Sequence, residues 1–336
     1  MILIALSVLF VVLSVVTQFV IAPALTKLPS NLDSRVHYAG TGTLLDADAL
    51  AKNDTAHILA KDVPVTIDRH VYVSRTSGDV AIAHDEVTLY AAGHAAEVDN
   101  HVYAIDRETM RTQTTLAGSV VEAASGLVFT LPLHPEMRDY DFYDPSTQSS
   151  IPAKYTGESN VNGRDTYLYA LSAHGRLKNP KTLDSLPHAL PKSVITEIMR
   201  LLPSENQRAL GAAIDKLPNP VPLVYTVTTN VELSADKTLG TPLNSTLAKR
   251  IVASVAETDT AIPLLPVFDI KTALTPESVQ RSVDTTNVQA RRLLVISQAV
   301  PIGLAVLGQA LVLTLAITGL GLRRRTTVAP RNRHFG

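Results

Sequence analysis

IPAKYTGESNVNGRDTYLYAL, residues 151–171, alternates apolar and polar side chains on both sides of Asn162-Gly163. Asn-Gly between two alternating runs favours a two-residue type I′ turn, because that turn needs positive φ at both central positions. The stretch therefore reads as a β-hairpin, and it sets the expectation for the rest of the chain. The same period of two recurs in Val63–Val73, Val80–Tyr90, His101–Ile105, Leu223–Leu233, Ala248–Glu257 and the Pro-bounded Ile262–Phe268. Gly126–Leu133 reads as one more strand.

Between the hairpin and the later strands the period becomes helical. Pro191–Leu202 places Val194, Ile195, Ile198, Met199, Leu201 and Leu202 on one side, and Pro203–Leu217 opens with Ser204 three residues before Gln207, a capping-box spacing. The apolar side of this insert, residues 191–217, is expected to pack on the β body. Its charges balance, with Glu197, Glu205 and Asp215 against Arg200, Arg208 and Lys216, so it does not read as a binder of anionic headgroups. Thr275-Pro276-Glu277 starts a further helix, with Thr275 as its cap and Pro276 at the first helical position.

The two ends of the chain differ from this body. Met1–Ala22 runs 22 residues without a charge, and Leu293–Leu322 runs 30. Each is long enough to cross a ~30 Å hydrocarbon core as a helix. The first exceeds the ~7–15 residues of a signal-peptide core and is followed at once by Pro23, so it reads as a retained anchor. The second runs into Arg323, Arg324 and Arg325, and arginines collect on the cytoplasmic side of a span. The tail 323–336 is then cytoplasmic, the chain is two-pass with both termini inside, and residues 27–290 form one extracytoplasmic domain. Gln298 and Gln309 stand within the second span, where their amides suit hydrogen bonds to a partner helix. The fold class expected is mainly β, an antiparallel, barrel-like ectodomain with a helical insert, anchored by two terminal transmembrane helices.

Composition narrows the function. The chain has no cysteine, which removes disulfides, thiolate nucleophiles and sulfur-ligated metals together. All 31 acidic residues lie between Lys27 and Ala290 with only 23 of the 30 lysines and arginines, so the body carries −8, against nucleic-acid binding. The ten histidines are scattered, without an i, i+4 pair on an expected helix. The zinc-protease, Walker A and Gly-x-Ser-x-Gly patterns are missing, and Thr41-Gly42-Thr43 after Gly40 reads as a small-residue strand rather than a dinucleotide loop. One polar cluster stands out: His134–Pro145 gathers Asp139, Asp141 and Asp144, oxygen donors for a hard cation, although the spacing and turn glycine of a calcium loop are absent. No cofactor and no enzymatic activity are expected.

The order of Ala22-Pro23, Val63-Pro64-Val65-Thr66, Tyr103-Ala104-Ile105-Asp106-Arg107, Gly126-Leu127-Val128-Phe129 before Pro132, Tyr140 to Pro145, and Val161-Asn162-Gly163 before Tyr167 resembles actinobacterial envelope proteins labelled PorA family porin. The resemblance runs over nearly the whole chain and implies an envelope location and a pore. A lipid-spanning barrel needs regular strands of ~9–11 residues with aromatic girdles, and this chain has no tryptophan, so a pore within one copy is not expected. The layout is also similar, as architecture, to class B scavenger receptors, whose β-rich ectodomain is tethered at both ends around an apolar tunnel. The expected function is a membrane-anchored envelope protein that binds or passes hydrophobic envelope molecules through an apolar cavity. The alternatives are an oligomeric pore or porin component, and a scaffold for another membrane complex. The expected partners are the lipid bilayer and a hydrophobic ligand.

Overall fold

The computed structural model describes residues 9–10, 12–18, 26–52, 54, 56–113, 118–256 and 261–325. These fall into two units, one of residues 28–286 and one of the two chain ends, residues 1–27 and 287–336.

The first unit is built on one antiparallel sheet. Its strands are β1 (Asp33–Leu45), β2 (Leu59–Ser77), β3 (Val80–Ala91), β4 (His94–Asp106), β5 (Thr112–Gln113), β6 (Tyr140–Asp144), β7 (Ser149–Val161), β8 (Arg164–Arg176), β9 (Ala189–Leu190), β10 (Val221–Asp236), β11 (Pro242–Ala256) and β12 (Ala261–Leu274). The order is β5-β4-β3-β2-β1-β12-β11-β10-β8-β7-β6, with β9 on the end of β10. The expected hairpin is β7–β8, and both central residues of its turn take positive φ, 48° at Asn162 and 88° at Gly163. β1 runs through Gly40 and Gly42, where β12 comes so close that a Cβ on either glycine would strike the backbone of the neighbouring strand.

The sheet curls into a half-barrel whose edge strands, β5 and β6, do not pair with each other. A strap, residues 118–134, bridges them instead. The Glu122 N–H donates to Val102 O (2.8 Å) on β4, and the Thr112 N–H to Gly126 O (2.8 Å). On the far side the Leu127 N–H donates to Asp141 O, and the Tyr143 N–H to Leu127 O, both at 2.8 Å. The strap then reaches the β10–β11 turn through Leu131 N–H to Gly240 O (3.2 Å) and His134 N–H to Thr238 O (2.8 Å). Gly126–Leu133 is therefore not the regular strand expected from its sequence. It buries Leu127 and Leu131, four residues apart, in a core shared with Tyr103, Ile105, Phe142 and Tyr169. A side chain at Gly126, where φ is +101°, would sit 2.6 Å from Asp141 O.

The helices of this unit are α1 (Ala47–Ala51), α2 (Pro180–Asp184), α3 (Lys192–Met199), α4 (Ser204–Ala213) and the start of α5 (Pro276–Leu294). α3 and α4 are the expected insert, and Ile195, Ile198, Leu202 and Leu210 pack on Val255, Ile262 and Leu264. The capping box does not form. Pro203 takes the cap position, Ser204 becomes the first helical residue, and the Gln207 side chain donates to Leu202 O (2.9 Å). Thr275 does cap α5, accepting from Ser278 N–H (3.3 Å). The chain enters and leaves this unit at one rim of the sheet. Leu28 N–H donates to Arg107 O (2.6 Å), just beyond β4, and Thr275 N–H to His37 O (2.9 Å), just beyond β12.

In the terminal unit, residues 9–10 and 12–18 are helical, a π-helical turn occupies Val295–Ala299, and α6 covers Val300–Arg325. The Ser14 hydroxyl donates to Pro301 O (2.9 Å) and Thr17 is buried. Among the described residues one helix, Pro276–Thr314, is long and apolar enough to cross a membrane, not the two expected. Much of the other expected span, residues 1–8, 11 and 19–22, lies outside the described residues, as does the tail beyond Arg325.

Candidate functional site

Alternation sends every second side chain of a curled sheet to its concave face. On β2 that phase reads Val65, Ile67, Arg69, Val71, Val73, and on β3 it reads Ala81, Ala83, Asp85, Val87, Leu89. β4 contributes Glu97, Asp99, His101, Tyr103 and Ile105. Charged residues interrupt an apolar phase at matching heights, since Asp85 stands opposite Val71 on β2 and opposite His101 on β4.

These groups pair. Arg69 holds Asp85 with two parallel bonds, Nε to Oδ1 at 2.8 Å and Nη2 to Oδ2 at 2.6 Å, the fork geometry that suits a carboxylate. His101 Nε2 lies 3.0 Å from Asp99 Oδ2, and its Nδ1 lies 2.8 Å from Glu122 Oε1 on the strap. The Asn179 amide, which also caps α2, donates to Asp99 Oδ2 (2.5 Å). The Thr182 hydroxyl on α2 donates to Glu97 Oε1 (2.5 Å), and Lys249 Nζ on β11 lies 3.8 Å from the same oxygen. The set joins β4 to the strap, to α2 and to β11, which are far from β4 in the strand order.

Burial pulls the His101 pKa down, but hydrogen bonds and charge from Asp99 and Glu122 outweigh it and raise the pKa from 6.5 to about 9. Burial likewise pushes Asp99 up, and His101 with Asn179 brings it down to about 2. His101 is thus an imidazolium at neutral pH, held between two carboxylates. Burial pushes the neighbouring Tyr103 phenol far up, so it stays protonated. The hydroxyl in the set, on Thr182, donates to Glu97 and serves to join α2 to β4. The chemistry of the set is that of a charged latch across the seam of the half-barrel.

The sequence-predicted residues fall elsewhere. Asp139 accepts from the Tyr155 N–H (2.9 Å), Asp141 lies 3.6 Å from Arg111, and Asp144 is buried, accepting from the Thr147 N–H and hydroxyl in the β6–β7 turn. The three acids do not converge on one point, and among the described residues no group of three His, Asp or Glu is placed to hold a metal. Gln298 and Gln309 are both exposed on the terminal helix. Arg323, Arg324 and Arg325 end the backbone of α6. The latch residues were missed, although Arg69 and Asp85 show in the sequence as charges in an otherwise apolar strand phase.

The acyl-chain cavity expected in the body has no counterpart among the described pockets. The apolar one, between Leu45, Ile58, Leu190, Ile198, Leu223 and Leu264, has a volume of about 20 Å³, room for about one water. A second, of about 360 Å³, opens on the strand surface and has a mixed lining, with Leu168, Tyr169 and Leu233 beside Thr156, Glu232 and Asn244. The convex face of the sheet is charged: the side chains of Arg35, Asp68, Glu86, Arg250 and Asp269 are 65%, 49%, 42%, 55% and 46% exposed.

A strapped antiparallel half-barrel joined to one long apolar helix defines a membrane-associated β protein. The chain belongs to the porin PorA family, whose model matches residues 1–317. No curated protein matches it. Among solved structures, a protein described as a thioesterase from Novosphingobium aromaticivorans DSM 12444 shares 11% identity over 75% of this chain and 84% of its own, with a TM-score of 0.13. The dehydratase domain of RzxB from Pseudomonas fluorescens shares 9% over 72% of this chain and 77% of its own, with a TM-score of 0.10. At such TM-scores neither likeness bears on fold or activity.

Proposed function

We propose that this protein is an envelope pore component that works as an assembly of copies, with its apolar C-terminal helix in the bilayer and its β unit in water. The observation that carries this reading is the charge on the convex face of the sheet. A lipid-facing Arg35 or Arg250 would cost about 2–4 kcal/mol each at mid-bilayer, so this face favours water over lipid. Family membership supports a porin role, and with the strands excluded from lipid the conducting path falls to helices from several copies. Porin families are not normally enzymes. The arginines after the span favour a cytoplasmic tail. A return of both chain ends to that side places the β unit outside the membrane, consistent with its entry and exit at one rim.

The test is conductance by the purified full-length protein in planar bilayers. Stepwise conductance that rises more steeply than linearly with protein concentration is expected, unchanged by Arg250→Glu on the convex face. Silence at every concentration would overturn the reading.

A further inference from the structure

We infer that the C-terminal helix carries an association seam for a second copy of this chain along Gln298, Ile302, Gln309 and Leu313. It deepens the pore reading by naming the partner of the helix. The spacings of seven and four residues put Ile302, Gln309 and Leu313 on one stripe of α6, and Gln298 stands about one turn before Ile302 in the π-helical turn. Gln298 and Gln309 are exposed, as are Ile302 at 62% and Leu313 at 65%, and neither glutamine bonds a described residue. A different stripe is already used within the chain: Pro301 and Gly308 are buried, and Pro301 O accepts from Ser14.

Hydrocarbon offers an amide no hydrogen bond, so two glutamines facing lipid favour association with whatever can satisfy them. A primary amide carries both donors and an acceptor and pairs reciprocally with an identical amide. A partner must then present two amides eleven residues apart, about 16.5 Å along a helix. A second copy does so by construction. Copies inserted with the same arginine-rich end on the same side lie parallel, so both amide layers meet at once across a two-fold axis.

The chain has no cysteine, so single cysteines report proximity cleanly. In full-length protein reconstituted in lipid vesicles, Gln309→Cys is expected to give disulfide-linked dimers under mild oxidation. Leu307→Cys, 53% exposed on the other side of the helix, should link at least severalfold less. Gln298→Leu with Gln309→Leu should weaken dimerisation about tenfold, the effect of one or two interhelical hydrogen bonds in a membrane. Equal linking at 307 and 309, monomers throughout, or wild-type dimerisation by the double leucine variant would overturn the seam. Linked dimers without conductance would keep the seam and sink the pore reading. Conductance without linking at 309 would do the reverse.

Discussion

The Glu122 carboxylate lies 2.8 Å from His101 Nδ1, and the backbone N–H of the same Glu122 donates to Val102 O on β4 at 2.8 Å. One residue thus ties the strap to β4 twice, by charge and by backbone. Elsewhere neighbouring strands share ladders of up to thirteen residue pairs, whereas this seam rests on isolated bonds and a buried ion group.

The first prediction is a pH window. The folded His101 pKa is raised from 6.5 to about 9, so its stabilisation is fully present below 6.5 and is lost as pH rises through 9. Asp99, lowered from 3.8 to about 2, acts in the opposite sense: its contribution is present above 3.8 and lost as pH falls through 2. Thermal unfolding of the full chain in detergent should show a decline from pH 6.5 to 9 that is absent in a His101→Gln variant. A decline of equal size in both would assign it to other groups.

Removing the cation should cost more than its surface area implies. His101→Ala leaves Asp99 buried beside the strap without its counter-charge, a loss expected at about 3–5 kcal/mol. Urea unfolding measures it, and amide exchange at Glu122 should rise along with the global change. A cost below about 1 kcal/mol would mean that the pair is solvated.

Gly240 holds the far end of the strap. Its φ is +67°, and a Cβ there would lie 2.6 Å from Leu131 O and closer still to Pro132 O. Gly240→Ala should therefore destabilise by more than the few tenths of a kcal/mol typical of surface substitutions, on the order of 2 kcal/mol or more, and lift Leu131. Gly78, also at positive φ but with nothing near it, is the control and should show the backbone strain alone.

Leu131 is fully buried in the core beneath the strap. Leu131→Ala is expected to cost about 2–5 kcal/mol by equilibrium unfolding, through lost transfer energy and an unfilled cavity. Leu201, 52% exposed on the helical insert, should tolerate the same change within about 0.5 kcal/mol.

Topology has its own check. A protease-cleavable tag after Gly336 should be protected in intact cells, while a site inserted at the exposed Asn162-Gly163 turn should be cut from outside. Cleavage of both would place the C-terminus on the outer side and undo the arrangement.

Local signals carried the antiparallel class, the Asn162-Gly163 hairpin, the Thr275 cap and the apolar C-terminal helix, because each is set by neighbours within a few residues: strand period, positive-φ turn chemistry, a capping hydroxyl, and length without charge. The strap was misread for a matching reason. Gly126–Leu133 is apolar enough for a strand, yet its partners are Asp141, Tyr143 and Gly240, and a residue pattern does not say that two sheet edges will be left unpaired for it to bridge. The latch is non-local in the same way. His101 meets Glu122 across 21 positions and Asn179 meets Asp99 across 80, and the raised His101 and lowered Asp99 pKa values come from these pairings, against the opposing pull of burial. Sequence alone determined most of the strands, the helical insert and the C-terminal segment that suits lipid, since those depend on short-range sterics and transfer free energy. Tertiary structure alone decided which charges are buried together, because burial and pairing are properties of distance in space.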